Sequence, residues 1–486
     1  MLNNKHLNLF WVIILHSLSI GTPLYASTLA SQIPDIGDAG STVLTPRQEK
    51  LLGDEFMRNV RKSLNLLNDP LSTAYLQNLA DKLQAKSTDY YQEITVFIVD
   101  DPSVNAFAGP GGYIGIHTGL ILAARTEGEL ASVMAHEIAH VTQRHLVRSF
   151  KASSKMNLST MGALIAAIVL GGKNPQMSEA VLASTVAGNA QQQLTYSRSH
   201  EQEADRVGLD LLASANIDPR MMVSFFEVLQ QQQGTISSSS PEFLRTHPLT
   251  AARIADTRNR AQQYEKYALT DNTSFQLIQA RCATLAEKTS DNPFGQVNSD
   301  INKIAQEYYL ALNAAKLNNY PLARNHINPL LQADTRRVLY HFTAAGIELA
   351  DNQPEKAREI IEKAFDLFPG NSSLTELYAK TLMQLNQPQL AFDALKTAIR
   401  KHPENYSLYQ SYAKAASSLG NKAEAYRALA EYHAALGNLH QAVEHLTQAI
   451  TAGSLDRYDQ LSAEARQKEL KAEILIRNQE DGSKGK

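Results

Sequence analysis

Two histidines and a glutamate in the segment His136-Glu137-Ile138-Ala139-His140 have the types and spacing of a metal-dependent hydrolytic centre. Residues four positions apart on a helix lie on the same side, one turn apart, so His136 and His140 can bind one Zn²⁺ together. Glu137 would then lie close enough to accept a proton from a zinc-activated water that attacks a peptide carbonyl. The alternative is a solvated helix with two unrelated histidines. The spacing favours a zinc peptidase site.

A second acidic motif, Glu201-Gln202-Glu203-Ala204-Asp205, contains the best candidate for a third protein ligand. Glu201 and Asp205 are four residues apart, so a helix presents both carboxylates on one face. We expect Glu201 to bind the metal and Asp205 to orient a ligand from one turn further along. The alternative is a surface charge run that ends at Arg206. With the first motif, this segment predicts a three-ligand site for one zinc ion.

The elements that must position these motifs are mostly helical. Apolar residues recur at helical spacing after Pro46 and again after Pro70. A strand is predicted at Ile94–Val99, and a long helix that contains the first motif begins near Glu127. The fold class predicted for the N-terminal part is therefore mainly α with a small β-sheet.

A turn rich in glycine at residues 109–112 leads into a second short strand, Tyr113–His117. If this strand is an exposed sheet edge, an extended substrate can add to it through backbone hydrogen bonds, which read shape more than sequence. The alternative is a covered internal strand. The substrate-binding residues predicted in this way are Tyr113, Ile114, Gly115 and Ile116.

Several segments of the first domain, predicted to span residues 27–267, have weaker patterns. Residues 161–170 form an apolar run too short to cross a bilayer, which we interpret as a core helix or, alternatively, a membrane-surface or substrate-facing loop. Residues 173–215 look mainly helical. Residues 229–241, rich in Gln and Ser, predict a flexible loop, and residues 268–300 predict a polar linker around one short helix.

The C-terminal part of the chain is repetitive. Alanines recur every 34 residues in two series, and Asn or Gly marks the turns between helices in the same register. A 34-residue period is the signature of tetratricopeptide (TPR) repeats, so residues 301–486 are predicted to form an α-solenoid with a concave peptide-binding face and an irregular last repeat through Ala442. The series are Ala311, Ala345, Ala379, Ala413 and Ala323, Ala357, Ala391, Ala425; the turn markers are Asn318, Asn352, Asn386 and Gly420.

The composition of the 486-residue chain indicates a globular protein of two or three domains and argues against nucleic-acid binding. The formal net charge is −3, aromatic residues make up 7%, and no Lys/Arg cluster is present. Residues 1–26 have the pattern of a secretory signal peptide with cleavage after Ala26; the alternative is an uncleaved membrane anchor. The single cysteine, Cys282, excludes an intrachain disulfide.

The order of these motifs resembles the gluzincin metallopeptidase family that includes HtpX, the Oma-type proteases and the CAAX prenyl endopeptidases. The resemblance covers about residues 45–265. It is carried by the two motifs above, by the strand-turn segment at residues 105–118, and by a downstream His247-Pro248 element followed by Arg253-Ile254. It implies zinc as the cofactor and a gluzincin fold for this domain.

The resemblance also implies a role for each site residue. Glu137 is expected to be the general base and acid, with Asp205 in a supporting catalytic role. His247 is expected to stabilise the oxyanion or to take the fourth zinc position and hold the enzyme latent, because catalytic zinc needs an open site. The alternative is an ordinary loop histidine; our hypothesis is that His247 gates the site. The implied zinc ligands are His136, His140 and Glu201.

A signal peptide, a gluzincin domain and a TPR tail in one chain resemble the periplasmic branch of this family. The resemblance implies a periplasmic zinc endopeptidase and chaperone in the quality control of outer-membrane β-barrel assembly, which degrades misassembled clients. Its partners would be unfolded barrel proteins and, through the TPR domain, the β-barrel assembly complex; peripheral membrane contact is compatible with this role. The alternative is a chaperone or adaptor with a vestigial or latent metal centre, which the intact Glu137 argues against.

Overall fold

The computed structural model describes residues 44–85, 93–150, 197–235, 242–265, 267, 271–286 and 303–482. These residues form a mainly helical structure with one small sheet, as predicted. The predicted signal peptide and the apolar run at residues 161–170 lie outside the described residues, as does most of the helical prediction for residues 173–215. The strands are β1 Thr95–Val99, β2 Ala106–Ala108 and β3 Tyr113–His117.

The described α-helices number ten on each side of residue 300, and a short 3-10 helix spans Pro110–Gly112. The first ten are α1 Pro46–Ser63, α2 Pro70–Gln84, α3 Thr118–Ala123, α4 Glu127–Thr142, α5 His145–Phe150, α6 Arg198–Ser214, α7 Arg220–Thr235, α8 Phe243–Thr246, α9 Ala251–Ala261 and α10 Thr273–Leu285. The others are α11 Lys303–Lys316, α12 Tyr320–Ala333, α13 Val338–Ala350, α14 Pro354–Leu367, α15 Ser372–Gln384, α16 Pro388–Lys401, α17 Tyr406–Ser418, α18 Lys422–Ala435, α19 Leu439–Thr451 and α20 Arg457–Gly482.

The first two helices begin where the sequence predicted, because both have strong start signals. Thr45 caps α1 in a capping box with Gln48, and Asp69 caps α2 by accepting a hydrogen bond from the Ser72 backbone N–H at 2.9 Å. Each cap is followed by a proline at the first helical position, where its missing N–H is not needed.

The sheet contradicts the prediction that Tyr113–Ile116 is an exposed edge for substrate. The strand order is β1-β3-β2, so β3 is the central strand, parallel to β1 and antiparallel to β2. Both of its sides are therefore occupied by neighbouring strands. The alternative of a covered internal strand is confirmed, because the three-residue strand β2, just before the glycine-rich turn, pairs with the second side of β3.

The prediction of a flexible loop over residues 229–241 is wrong for its first half. Helix α7 continues to Thr235, because Phe225, Phe226 and Leu229 extend a buried apolar face into the glutamine run. Glutamine is also a good helix former, so low complexity alone does not end a helix. Residues 236–241 lie outside the described part of the chain.

The predicted polar linker at residues 268–300 contains a buried helix. In α10, Phe275, Ile278 and Cys282 are buried in the same apolar core as helices α2 and α4. Gln279 also donates hydrogen bonds to the carbonyls that end α3, and the buried guanidinium of Arg281 pairs with Asp69. The one short helix predicted in this segment is therefore present, and it packs against helices of both predicted domains.

The 34-residue repeats form the predicted α-solenoid of helix pairs. All eight phased alanines are buried, which lets the paired helices approach closely. The turn markers Asn318, Asn352, Asn386 and Gly420 all have φ between 56° and 76°, the left-handed conformation that Asn and Gly adopt most readily. In the part of the chain that the structure describes, no helix is long and apolar enough to cross a membrane.

Candidate metal centre

The first motif lies on the buried helix α4. The helix starts at the N-cap Thr126, whose hydroxyl accepts the Glu129 backbone N–H, and two glutamates in the first turn suit its dipole. His136 and His140 project from one side with their ring centroids 4.7 Å apart, and both are almost fully buried. The helical spacing therefore aligns the two imidazoles as the sequence predicted.

Four side chains converge on one point beside this helix. One ligand atom from each of His136, His140, Glu201 and His247 lies within 4.8 Å of all the others, and all four residues are buried. The Nε2 atoms of the two motif histidines are 3.0 Å apart, and they lie 3.6 Å and 3.4 Å from the Glu201 carboxylate. Two imidazoles and a carboxylate at these separations form a donor set for a single metal ion.

Glu201 reaches the site from helix α6, which begins at the N-cap Ser197 and packs against α4. Gly208 lies at the contact, where an added Cβ would be 2.9 Å from Met222 Cε and 3.4 Å from the His136 backbone nitrogen. A larger residue would push the two helices apart. The second motif thus lies close to the first because the sequence keeps this contact small.

Asp205 and Arg253 support the ligands from behind. Asp205 Oδ1 lies 3.1 Å from His136 Nδ1, the ring nitrogen that faces away from the cluster. Arg253 donates two 2.7 Å hydrogen bonds to the Asp205 carboxylate, and its Nη1 lies 2.6 Å from Glu201 Oε2. The sequence motifs assigned no role to Arg253. Its place in the family pattern could have pointed to one. Its local sequence could not, because a lone arginine on a polar helix predicts solvent exposure.

Glu137 is fully buried next to the cluster. Its carboxylate oxygens have no hydrogen-bond partner, and His247 Nε2 lies 3.5 Å from Oε1. Burying a carboxylate without hydrogen bonds is costly, so this position fits a group that works on a polar species bound at the cluster.

His247 lies inside the site rather than on an exposed loop. The short helix α8 precedes it, its backbone N–H closes that helix on Phe243 O at 2.8 Å, and its ring stacks on the Phe243 ring. Its Nδ1 is 3.1 Å from Glu201 Oε1 and 3.3 Å from His136 Nε2. The ring therefore stands where a fourth ligand would.

The charge states of the cluster follow from burial and from its own contacts. Burial opposes ionisation of Glu201, but the neighbouring His247 and hydrogen bonds from both motif histidines hold its pKa well below the ordinary value. Burial holds the pKa of His140 well below its usual range, whereas hydrogen bonds with Asp205 and Glu201 overcome burial and raise the pKa of His136 to about 9.

A buried His–His–Glu set with an adjacent glutamate defines the class of metal-dependent hydrolases. Residues 70–261 match "Peptidase family M48", and residues 348–411 match a tetratricopeptide repeat. The chain belongs to peptidase family M48 and is a metallopeptidase with a TPR region.

Relatives of similar length carry a more specific name. The chain is 33% identical over 463 residues to the "Beta-barrel assembly-enhancing protease" of Escherichia coli (strain K12), which covers 92% of this chain and 94% of that protein. It is 34% identical over 449 residues to the "Putative beta-barrel assembly-enhancing protease" of Vibrio cholerae, and the match covers 90% of this chain and 93% of that protein. The mitochondrial metalloendopeptidase OMA1 of Bos taurus is 34% identical over 157 residues, 32% of this chain and 29% of that one.

Proposed function

We propose that the cluster binds one Zn²⁺ and that the protein is a zinc endopeptidase. The observation that carries the proposal is the convergence of His136, His140 and Glu201 beside a fully buried Glu137. Two histidines and a glutamate are a known protein ligand set of catalytic zinc, and nitrogen with oxygen donors suits this borderline metal. Zinc in this site would make water a nucleophile near neutral pH and would polarise the peptide carbonyl.

The chain's own residues perform the proton transfers and the positioning. Glu137 accepts a proton from the attacking water and returns it to the leaving amine, because its buried carboxylate lies beside the cluster without a hydrogen-bond partner. Asp205 holds His136 Nδ1, which directs the lone pair of Nε2 towards the ligand cluster. Arg253 keeps the carboxylates of Asp205 and Glu201 in place, because its guanidinium pairs with both.

We further propose a periplasmic role in the assembly of outer-membrane β-barrel proteins. The 33% identity to a protein named "Beta-barrel assembly-enhancing protease", along nearly its whole length, supports it. The peptidase would degrade misassembled barrel clients, the chain would also act as a chaperone, and the TPR solenoid would bind the assembly complex or the clients. TPR solenoids present the kind of extended concave surface on which proteins dock.

Removal of the metal tests the zinc and client proposals together. A chain stripped with a strong chelator is expected to lose cleavage of an unfolded outer-membrane barrel protein, and one equivalent of Zn²⁺ is expected to restore it. Mg²⁺ serves as the control, because it prefers six oxygen ligands and should not restore cleavage. Cleavage that persists without metal would refute the zinc mechanism, and equal cleavage of a folded barrel would refute selectivity for misassembled clients.

His247 is proposed to gate the site. Its ring lies within hydrogen-bonding distance of Glu201 and close to Glu137, so it competes with water for the fourth zinc position. Cleavage then requires α8 and His247 to move away, and only the open fraction of molecules is active.

The substitution His247→Ala is therefore expected to speed cleavage. The rise is about tenfold if ligation by the ring stabilises the closed state by about 1.4 kcal/mol. The measurement is the cleavage rate of an unfolded protein by zinc-loaded wild type and variant, with the neighbouring Thr246→Ala as the matched control. An unchanged rate would remove the gate from the mechanism, and a large fall would favour a role for His247 at the oxyanion.

A further inference from the structure

A fourth histidine, His145, is fully buried against the metal cluster, five residues after the second motif histidine. The chain turns back at Arg144, which has a φ of 52°, and helix α5 then starts at His145. A buried ion pair holds this turn, because Arg144 Nε donates to Glu49 Oε1 at 3.0 Å and Nη2 donates to Leu44 O at 3.0 Å. The conformation is uncommon for arginine, so these contacts must stabilise it.

The turn brings His145 into a continuous chain of hydrogen bonds. Its Nδ1 lies 2.9 Å from His140 Nδ1, and its Nε2 lies 3.1 Å from Glu203 Oε2. The ring also stacks on His200, with centroids 4.5 Å apart and planes 14° apart. Glu203 itself is one-third exposed and pairs with Arg148 Nη1 at 3.0 Å. A line of polar contacts therefore runs from the buried ligand His140 to the protein surface.

The donors and acceptors in this series of hydrogen bonds can be assigned by starting from Glu203. The Glu203 carboxylate only accepts, so the proton of a neutral His145 must be on Nε2. Its Nδ1 is then an acceptor, and the proton of His140 must be on Nδ1 to donate to it. His140 Nε2 is left with its lone pair directed at Glu201 and the other ligands, which is the form a metal requires.

The two motif histidines are thus supported by the same helix in two ways. Asp205 on α6 contacts Nδ1 of His136 directly. Glu203, two residues earlier on α6, reaches Nδ1 of His140 through His145. The motif Glu201-Gln202-Glu203-Ala204-Asp205 therefore supplies one ligand and both orienting carboxylates.

We infer that His145 and Glu203 are positioning residues, which fix the tautomer and orientation of His140 through a carboxylate–histidine–histidine relay. The inference rests on the proposed metal site and gives roles to two residues to which the sequence motifs assigned none. Partners of metal-bound histidines usually change metal affinity about 10–100-fold when they are removed. The same range is expected for this relay.

Zinc affinity of the full chain, measured by competition with a chelating indicator, tests the relay without reference to activity. His145→Leu and Glu203→Ala are each expected to weaken binding about 10–100-fold. His145→Gln is expected to recover most of the loss, because its amide oxygen can accept from His140 and its amide nitrogen can donate to Glu203. Glu203 is partly exposed, so Glu203→Ala remains a fair test even if His145→Leu disturbs folding.

Arg148→Gln is the matched control, because it removes the surface ion pair of Glu203 and leaves the relay intact. Its zinc affinity is expected to stay within about threefold of wild type, since exposed pairs contribute little. Wild-type affinity in Glu203→Ala, or an equal loss in Arg148→Gln, would overturn the relay. His140→Ala separates the two proposals: if it binds zinc as tightly as wild type, the metal site itself fails and the relay with it.

Discussion

Replacing Glu137 with glutamine is expected to slow peptide cleavage about 10²–10⁴-fold, the usual contribution of a general base. The amide keeps the size of the side chain but cannot take a proton from water. Glu137 is not among the four converging ligand residues, so the variant is expected to retain its zinc. The measurement is a cleavage rate with an unfolded protein substrate, together with the zinc content of the purified chain.

The matched control is Glu127→Gln, the same change in the first turn of the same helix. Glu127 hydrogen-bonds to Tyr75, away from the cluster, and the amide oxygen can still accept that bond. Its cleavage rate is expected to equal that of wild type. If Glu137→Gln retains more than about a tenth of the wild-type rate with full zinc occupancy, another group is the base, because a tenth is far above the range for a lost base.

Replacing Asp69 with alanine is expected to destabilise the protein by about 3–5 kcal/mol, the cost of breaking a buried ion pair. Asp69 accepts two 2.7 Å hydrogen bonds from Arg281 and caps α2 through Ser72. Arg281 also contacts Tyr308 and Thr343 in the first TPR helices. The substitution would leave a buried cation without its carboxylate where the peptidase and TPR helices share one core.

Denaturant unfolding of wild type and variants measures this effect. Asp69→Asn separates the ion pair from the cap, because asparagine caps helices as well as aspartate. Asp271→Asn is the matched control: Asp271 also pairs with a TPR arginine, Arg337, but is largely exposed, so a change below about 1 kcal/mol is expected. A loss below 1 kcal/mol for Asp69→Ala would show that the buried pair does not hold the junction.

The pH dependence of the same difference gives an independent check. Burial opposes ionisation of Asp69, but Arg281 and hydrogen bonds from Ser72 hold its pKa below the ordinary value of 3.8. A carboxyl whose folded-state pKa is lowered stabilises the protein fully above its unfolded-state pKa and loses this contribution as the pH falls through the folded value. The stability gap between wild type and Asp69→Asn is therefore expected to be full at pH 7 and to shrink below about pH 3.8.

Features that depend on local geometry could be predicted from the sequence. His136, Glu137 and His140 lie on one helix face because a four-residue spacing has that result in any α-helix. The TPR turns could be located because Asn and Gly adopt positive φ readily, and Asn318 and Gly420 do so. Both results come from a few neighbouring residues, so they depend little on distant contacts.

Features that depend on contacts between distant segments could not be predicted. Glu203 and Arg253 look like surface charges in the sequence, yet each joins the metal cluster through a partner far away in the chain. The central position of Tyr113–His117 in the sheet likewise depends on pairing with the three-residue strand β2. The burial of α10 depends on packing against the core that the two domains share.

The sequence by itself thus determined the chemical groups of the centre, its helical spacing and the period of the solenoid, because these follow from local backbone geometry. Only the tertiary structure decided that Glu203 reaches His140 through His145, that Arg253 pairs with Asp205 and Glu201, and that α10 packs in the core of both domains. Those arrangements arise from packing and charge pairing between residues tens to hundreds of positions apart, which no short sequence pattern encodes.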